Sequence, residues 1–349
     1  MQVEPSAHPS AHEADRLRVA FFSIVPGPEC GYAALMNLDS VIAAQARISP
    51  YIHRTPVLTS HRLDEQTQAK LFFKAENLQK VGAFKARGAV NAVLSLDSDT
   101  LARGAATHSS GNHGAALAYA ARIVGTTAHV VMPDDSLPNK IAAVRGYGAK
   151  LTLCTPTLAD REAACDRIVR ETGATVIHPY DDDRIIAGQG TAALEFLSQT
   201  DNLDILIAPV GGGGLLAGTV LVAKKSNISV IAAEPAMADD AYRSWQARKR
   251  IPPERTATIA DGLRTGLGER NFAIIQNHLE AVQLVTEEAI IHATQHLMHT
   301  LKTVIEPSAA VPMAAILEHP GTFAGKRVGI ILSGGNLDLS APPWLTRQG

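Results

Sequence analysis

The chain has 349 residues, which is long enough for two domains of ordinary size. Hydrophobic residues make up 46% of it and charged residues 19%, a composition typical of a folded globular protein that excludes a disordered or collagen-like chain. Because 34 acidic side chains balance 32 basic ones, with a formal net charge of −2, the chain has no basic surplus for binding nucleic acid or an anionic membrane.

Two further features narrow the class of protein. The three cysteines, Cys30, Cys154 and Cys165, form neither a C-x-x-C pair nor a zinc-site spacing, so they predict no disulfide framework and favour a cytoplasmic location. The longest uncharged stretch, residues 205–223, contains Pro209 and four consecutive glycines, which predict a strand, a loop and a helix instead of a membrane span. We therefore expect a small-molecule ligand and no membrane partner.

The first 35 residues contain four prolines and no helical period, and they predict a flexible N-terminal extension. Leu38, Val41 and Ile48 then fall at helical spacing. Asp39 or Ser40 is available to cap this helix, and we expect the folded part of the chain to begin here, near residue 36.

From there the sequence alternates short β-rich runs with helical windows. Strands are predicted at 128–132, 151–154, 175–178, 205–209, 229–233, 281–285 and 327–332, and helices between them, for example at 138–147 and 158–172. The alternation predicts an α/β fold whose parallel sheets are flanked by helices on both faces. In such folds ligands bind at the carboxyl ends of the strands.

A lysine near the start of one helical window could be chemically active. Lys85 follows Val81, Gly82, Ala83 and Phe84, whose apolar groups could desolvate its amine and lower its pKa. Such an amine attacks an aldehyde readily, although a lysine on a helix is more often an ordinary solvated side chain.

Residues 107–114, which precede an alanine-rich helix, offer hydroxyl, amide and backbone N–H groups together. Ser109, Ser110 and Asn112 are more than a single helix cap requires. The segment predicts a binding site for an anion such as a carboxylate.

Four consecutive glycines, Gly211 to Gly214, separate a predicted strand from a helix. Glycines there let several backbone N–H groups converge on a phosphate. One reading is a dinucleotide fingerprint, with Glu234 about 20 residues further on to bind a ribose. The other is a cup for a single phosphomonoester, and the residues alone leave both readings open.

Taken together, these segments resemble the fold-type II pyridoxal-phosphate enzymes, in particular the serine racemases and the serine/threonine and hydroxyaspartate dehydratases. The resemblance covers residues 36 to 340. It rests on the segments 53–57, 81–88, 107–114, 186–191, 209–218, 232–235, 238–240, 260–262, 305–308 and 333–336. It implies a two-domain fold similar to the tryptophan synthase β subunit, with a large domain at 36–100 and 183–349, a small mobile domain at 101–182, and a homodimer.

The resemblance also implies roles for single residues. Lys85 would bond pyridoxal 5'-phosphate as an imine and later remove the substrate's α-proton. The remaining cofactor contacts would be Phe84, Asn112, Gly211, Gly212, Gly213, Gly214 and Ser333. The substrate carboxylate would lie among Ser109, Ser110, Gly111, Asn112 and His113. Ser110 would also be the acid on the opposite face of the substrate that racemisation needs.

Three additional positions match the family's divalent cation site. The side chains of Glu234 and Asp240 and the carbonyl of Ala238 would bind Mg²⁺ or Ca²⁺ through oxygen alone. Arg161 would approach the active site and could bind a second substrate carboxylate. By contrast, Ala115 stands where the activated racemases have a glutamine that contacts ATP, so activation by a nucleotide is not expected.

The reaction implied is elimination of the hydroxyl group from a β-hydroxy amino acid such as serine, threonine or 3-hydroxyaspartate, giving a keto acid and ammonia. Serine racemisation would be the main or a side reaction. Two alternatives remain at this point: a nicotinamide-dependent oxidoreductase that uses the glycine loop and Glu234, and a non-catalytic amino-acid sensor.

Overall fold

The computed structural model describes residues 36–109 and 111–345. The predicted N-terminal extension and Ser110 lie outside the described residues. All elements below belong to one compact unit that begins at Met36.

The described residues contain ten strands, which form two sheets. They are β1 (Val57–Thr59), β2 (Lys70–Ala75), β3 (Ala105–His108), β4 (Ala128–Pro133), β5 (Lys150–Cys154), β6 (Thr175–Val176), β7 (Ile205–Pro209), β8 (Ser229–Pro235), β9 (Ala281–Val285) and β10 (Arg327–Leu332). The larger sheet has the order β1-β2-β10-β7-β8-β9, and the smaller one has the order β5-β4-β3-β6. All neighbouring strands are parallel except β1, which runs antiparallel to β2.

Helices connect most of the strands. They are α1 (Leu38–Ile48), α2 (His61–Thr67), α3 (Lys85–Leu94), α4 (Ser98–Arg103), α5 (Asn112–Val124), α6 (Pro138–Gly146), α7 (Leu158–Thr172), α8 (Asp183–Leu197), α9 (Gly214–Ala223), α10 (Asp240–Ala247), α11 (Glu269–Ile275), α12 (Glu287–Leu301), α13 (Pro307–Glu318) and α14 (Pro320–Phe323). Strands β4 and β7 are buried along their whole length, which explains their continuous apolar sequence. The α/β fold with parallel sheets flanked by helices is thus confirmed.

Three helices at the centre of the molecule approach one another through glycines. A Cβ on Gly188 of α8 would lie 2.5 Å from the Cα of Gly88 on α3, and a Cβ on Gly218 of α9 would lie 2.5 Å from the backbone nitrogen of Gly190 on α8. Any side chain at these contacts would force the helices apart. The close packing brings together α3, which begins at Lys85, and α9, which begins in the glycine loop.

Most of the predicted elements are confirmed, and one cap is corrected. The strands at 205–209, 281–285 and 327–332 and the helix at 158–172 have the predicted bounds. Helix α1 is capped by Asn37, whose side chain accepts the Ser40 N–H, and not by Asp39 or Ser40. Strands β1, β2 and β3 were missed by the sequence analysis. Among the described residues, no helix is both long and apolar enough to cross a membrane.

The smaller sheet is made entirely from residues 105–176, inside the segment predicted as the small domain. The division of the chain into large and small domains itself stays a prediction.

Candidate active site

A cavity of about 350 Å³ lies where the loops after β3, β7 and β10 meet. Its volume is within the range of ordinary ligand pockets. The predicted cofactor and substrate residues on its wall are Phe84, Lys85, Ser109, Gly111, Asn112, His113, Arg161, Gly211, Gly212, Gly213, Gly214 and Ser333. The structure therefore gathers on one cavity residues that are up to about 250 positions apart in the chain. The predicted acid Ser110 is outside the described residues.

Lys85 is the first residue of α3 and its amine is held inside the cavity wall. Its Nζ donates a hydrogen bond of 2.9 Å to the carbonyl oxygen of Pro179 and lies 5.1 Å from the centre of the Phe84 ring. Burial lowers the pKa of Lys85 to about 8, against a smaller opposing effect from the negative charge of Glu306. A large fraction of this amine is thus neutral and nucleophilic just above neutral pH.

The segment before Lys85 is tied directly to the end of β10. The backbone N–H of Phe84 donates to the carbonyl oxygen of Ser333 at 3.0 Å, and Ala83 forms a β-bridge with Gly334. These contacts place Ser333 beside the lysine, as expected if its hydroxyl faces the ring nitrogen of a cofactor that Lys85 holds.

The four glycines form a tight loop between β7 and α9. Gly213 has a φ of +91°, a conformation that L side chains rarely adopt, and a Cβ on Gly211 would lie 2.9 Å from the Cα of Leu263. Within the described part of the chain, the N–H groups of Gly211, Gly212 and Gly213 donate to no other backbone oxygen. The loop therefore offers N–H donors beside the N-terminus of α9, which suits a phosphate group.

His113 is almost fully buried in the wall of the cavity. Its Nε2 lies 3.2 Å from the carbonyl oxygen of Ile177, which can only accept a hydrogen bond, so Nε2 carries the proton. Burial lowers the pKa of His113 well below its ordinary value, with the positive charge of Lys85 adding to the effect. The ring is thus neutral. Its Nδ1 acceptor has no partner among the described residues.

Several positive charges line the same cavity. Arg161, in the first turn of α7, donates its Nε to the backbone oxygen of Thr157 and not to a carboxylate. Lys140 of α6 pairs with Asp261 across the cavity, and its amine would lie 3.5 Å from a Cβ on Gly111. Because Lys140 has a carboxylate partner, Arg161 is the better placed of the two to bind an incoming anion.

Glu306, a carboxylate in the cavity wall, was given no role by the sequence analysis. Glu306 lines the cavity, is 3% exposed and accepts hydrogen bonds from the side chain of Asn112. Burial and the negative charge of Asp261 together raise the pKa of Glu306 to about 7, against the opposing effects of Lys140 and of the hydrogen bond from Asn112. The available sequence signal was an acidic residue between Ile305 and the proline that begins an apolar helix.

The predicted cation ligands lie apart from the cavity. Glu234 is fully buried at the end of β8 and accepts the backbone N–H groups of Ala241 and Tyr242 at 2.8 and 2.7 Å. Asp240 is also buried, and desolvation raises its pKa to about 6. Among the described residues, no group of three or more His, Cys, Asp or Glu side chains could hold a metal ion. The predicted ligand set contains only two such side chains, those of Glu234 and Asp240. Its third ligand is the backbone carbonyl of Ala238, so the set does not form a group of that kind.

The buried position of Glu234 also bears on the nucleotide reading of the glycine loop. A carboxylate that contacts a ribose must reach the ligand, whereas both oxygens of Glu234 bond backbone N–H groups away from the cavity wall. The geometry therefore does not support a nicotinamide nucleotide at this loop.

Comparison with known proteins places the chain among enzymes. A family model described as pyridoxal-phosphate dependent enzyme matches residues 48–334. The β-hydroxyaspartate dehydratase of Paracoccus denitrificans is 47% identical over 308 residues, covering 88% of this chain and 98% of that protein.

Solved structures agree with the sequence matches. The crystal structure of serine racemase from Dictyostelium discoideum has a TM-score of 0.84 and 47% identity, with 88% of this chain and all of that chain covered. A crystal structure of threonine deaminase from T.th. has a TM-score of 0.83 and 44% identity, with 87% and 99% covered. The match at residues 48–334 therefore includes the three strand ends, those of β3, β7 and β10, that meet at the cavity.

Proposed function

Because the chain belongs to the family of pyridoxal-phosphate dependent enzymes, we propose that it eliminates the hydroxyl group of a β-hydroxy amino acid. The products would be a keto acid and ammonia. Serine racemisation would accompany this reaction as the main or a side activity. The observation that carries the proposal is the buried amine of Lys85, which shares a cavity with the glycine loop and the carboxylate loop.

The residues present fit the cofactor. The glycine loop has room for no side chain and offers N–H donors for a phosphate, and Lys85 supplies an amine with a lowered pKa for the aldehyde. Ser333 would contact the ring nitrogen and Phe84 the ring. Bound pyridoxal phosphate supplies an electron-withdrawing ring that makes the α-proton of an amino acid acidic. A hydroxyl at position 333 leaves this withdrawal weaker than a carboxylate would, which favours early loss of a β-substituent.

The chain's own residues would then position the substrate and move its proton. Ser109, Gly111 and the start of α5 would bind the α-carboxylate through hydroxyl and N–H groups. The neutral amine of Lys85 would accept the α-proton and return it to the β-hydroxyl, which would leave as water as its bond to the β-carbon breaks. The resulting enamine hydrolyses to the keto acid and ammonia, which balances the reaction without a further reactant.

Racemisation needs an acid on the other face of the substrate. We propose Ser110 for this role because it stands in the sequence between Ser109 and Gly111, which both line the cavity. The substitution Ser110→Ala should abolish formation of D-serine from L-serine and leave pyruvate formation measurable.

One residue of the cavity supports a substrate with a second carboxylate. Among the described residues, the guanidinium of Arg161 bonds a backbone oxygen at its own helix end and no carboxylate, and carboxylate is the group it binds best. We therefore propose 3-hydroxyaspartate as the preferred substrate, with serine and threonine as poorer ones.

A divalent cation would stabilise the fold beside this site. Glu234, Asp240 and the Ala238 carbonyl supply only oxygen ligands, which Mg²⁺ and Ca²⁺ prefer. Burial raises the pKa of both carboxyls and the negative charge of Asp239 adds to each shift, so a bound cation would offset a local excess of negative charge. The proposed role is structural, and dialysis against a chelator should lower the melting temperature while the visible cofactor band persists.

The deciding experiment combines a spectrum with a substrate panel. The purified protein should be yellow, lose its visible band on treatment with borohydride, and convert L-serine, L-threonine or a 3-hydroxyaspartate isomer to a keto acid. Lys85→Ala should lack both properties, and Lys80→Ala, a nearby lysine, should retain them. A protein that is yellow but turns over no hydroxy amino acid would be a sensor, and a colourless protein would defeat the proposal altogether.

A further inference from the structure

The side-chain amide of Asn112 is held at both ends. Its Nδ2 donates to the two carboxylate oxygens of Glu306 at 2.8 and 3.1 Å. Its Oδ1 accepts a hydrogen bond of 2.9 Å from Nδ2 of Asn336, and the same Asn336 nitrogen donates to the carbonyl oxygen of Val81 at 2.8 Å. These four groups form one chain of hydrogen bonds beside the cavity.

The two ends of that chain fix its direction. The Val81 carbonyl can only accept, so Asn336 turns its nitrogen inward and Asn112 must meet that nitrogen with its oxygen. At the other end, both carboxylate oxygens of Glu306 lie within hydrogen-bond distance of the same Asn112 nitrogen, so the nitrogen of the amide faces Glu306. A reversed Asn112 amide would place oxygen against the carboxylate at one end and nitrogen against nitrogen at the other.

Glycine at position 334 makes room for the carboxylate. A Cβ on Gly334 would lie 2.5 Å from Oε1 of Glu306 and 3.2 Å from Nδ2 of Asn112. The backbone N–H of Glu306 also donates to the Gly334 carbonyl oxygen at 3.0 Å. Both the side chain and the backbone of Glu306 are thus fixed against the loop that follows β10.

We propose that Glu306 is a positioning residue that holds the Asn112 amide with its nitrogen as the donor on the cavity side. An amide nitrogen has two hydrogens, and the one not used by Glu306 would be presented to the phenolic oxygen of bound pyridoxal phosphate. The proposal rests on the proposed function, in which pyridoxal phosphate binds in this cavity, and on the cofactor contact that the sequence resemblance implies for Asn112. It assigns to Glu306 the second of two contacts, after the one from Asn336, that keep the nitrogen of Asn112 and not its oxygen on the cavity side.

The test measures how fast the holoenzyme loses its cofactor, followed as decay of the visible band in cofactor-free buffer. Glu306→Leu removes the acceptor and keeps most of the volume, whereas Glu306→Gln keeps the shape and one acceptor oxygen. Release should be roughly tenfold faster in Glu306→Leu and less accelerated in Glu306→Gln, as expected for loss of a charge-assisted hydrogen bond. Glu288→Gln, an exposed carboxylate on α12, is the matched control and should release cofactor at the parent rate.

A double-mutant cycle separates positioning through Asn112 from a general loss of structure. In an Asn112→Ala background, Glu306→Leu should cause no further acceleration, because the donor it positions is gone. Equal effects in both backgrounds, or parent-like release in both Glu306 variants, would overturn the proposal. If Glu306→Leu does not fold, the cycle with Glu306→Gln decides by the same criterion. A parent protein without a visible band would defeat the proposed function instead, so the two failures are distinguishable.

Discussion

The ring of Tyr180 occupies the space that a side chain on Gly212 would need. A Cβ built on Gly212 would lie 2.2 Å from the ring's Cγ and 2.4 Å from both Cδ atoms. Tyr180 belongs to the segment that leaves the smaller sheet, and Gly212 belongs to the loop that follows β7 of the larger sheet. The glycine loop is thus shaped by a contact from the segment that follows the smaller sheet as well as by its own glycines.

This contact predicts the effect of the smallest possible change in the loop. Gly212→Ala should displace Tyr180 or the loop itself, because a methyl group cannot stand 2.2 Å from a ring carbon. Cofactor affinity should fall by at least about tenfold, measured by titrating pyridoxal phosphate into cofactor-depleted protein. Gly146→Ala is the control, since nothing lies within 4 Å of a Cβ at that position.

A second substitution tests the cause of that loss. Tyr180→Ala combined with Gly212→Ala should recover part of the affinity lost in the single variant, because the clashing ring is gone. If Gly212→Ala binds cofactor like the parent, the ring does not constrain the loop.

The titration of Lys85 gives a prediction about pH. Its pKa is lowered from 10.5 to about 8 by burial, so the neutral amine is half populated near pH 8 instead of being rare there. The rate at which cofactor-depleted protein takes up pyridoxal phosphate should therefore rise with pH and level off above about 9. Stopped-flow absorbance between pH 6.5 and 10 measures this, and a rate that still rises tenfold per pH unit at pH 10 would contradict a lowered pKa.

Several parts of this site could be predicted from the sequence because their signals are local. Lys85 follows a short apolar run, and the glycines follow a strand whose apolar residues are continuous, so neighbouring residues alone indicate both features. The bounds of β7 were predictable for the same reason. The helical spacing of Leu38 and Val41 likewise located α1.

Other parts depend on contacts that the sequence does not display. Glu306 and Asn112 are 194 positions apart, and Asn112 and Asn336 are 224 apart, so their pairing exists only once three loops converge. The α1 cap was wrong because Asn37, Asp39 and Ser40 can all cap a helix, and only the extended backbone of Asn37 selects it. Strand β1 was missed because it has three residues and none of them is buried.

A buried cluster of charged side chains, which includes Arg87 of α3, predicts how a substitution close to Lys85 changes the stability of the protein. Arg87 is fully buried and donates to both oxygens of Glu76 at 2.7 Å, while also contacting Glu195, which in turn accepts a hydrogen bond from the buried Lys74. Arg87→Leu would leave the buried carboxylates of Glu76 and Glu195 with Lys74 as the remaining cation of the cluster. The free energy of unfolding should fall by about 3–5 kcal/mol in urea denaturation.

The control for that variant is Arg167→Leu, since Arg167 is exposed on α7 and its loss should change the unfolding free energy by less than about 0.5 kcal/mol. Equal stability of the Arg87 variant and the parent would show that the cluster contributes nothing net. Because Arg87 is two residues from Lys85, a reduced visible band in a folded Arg87 variant would further show that the cluster orients the start of α3.

The guanidinium of Arg161 predicts how substrate preference responds to a single change. If it binds the second carboxylate of 3-hydroxyaspartate, Arg161→Gln removes a charge-assisted hydrogen bond that serine never makes. The value of kcat/KM for 3-hydroxyaspartate should fall by roughly 10- to 100-fold, and that for L-serine should change by less than about twofold. Arg170→Gln, an exposed arginine near the other end of α7, should leave both values unchanged. A parallel loss on both substrates would mean that Arg161 binds the α-carboxylate or supports the fold, because only a contact to the second carboxylate separates the two amino acids.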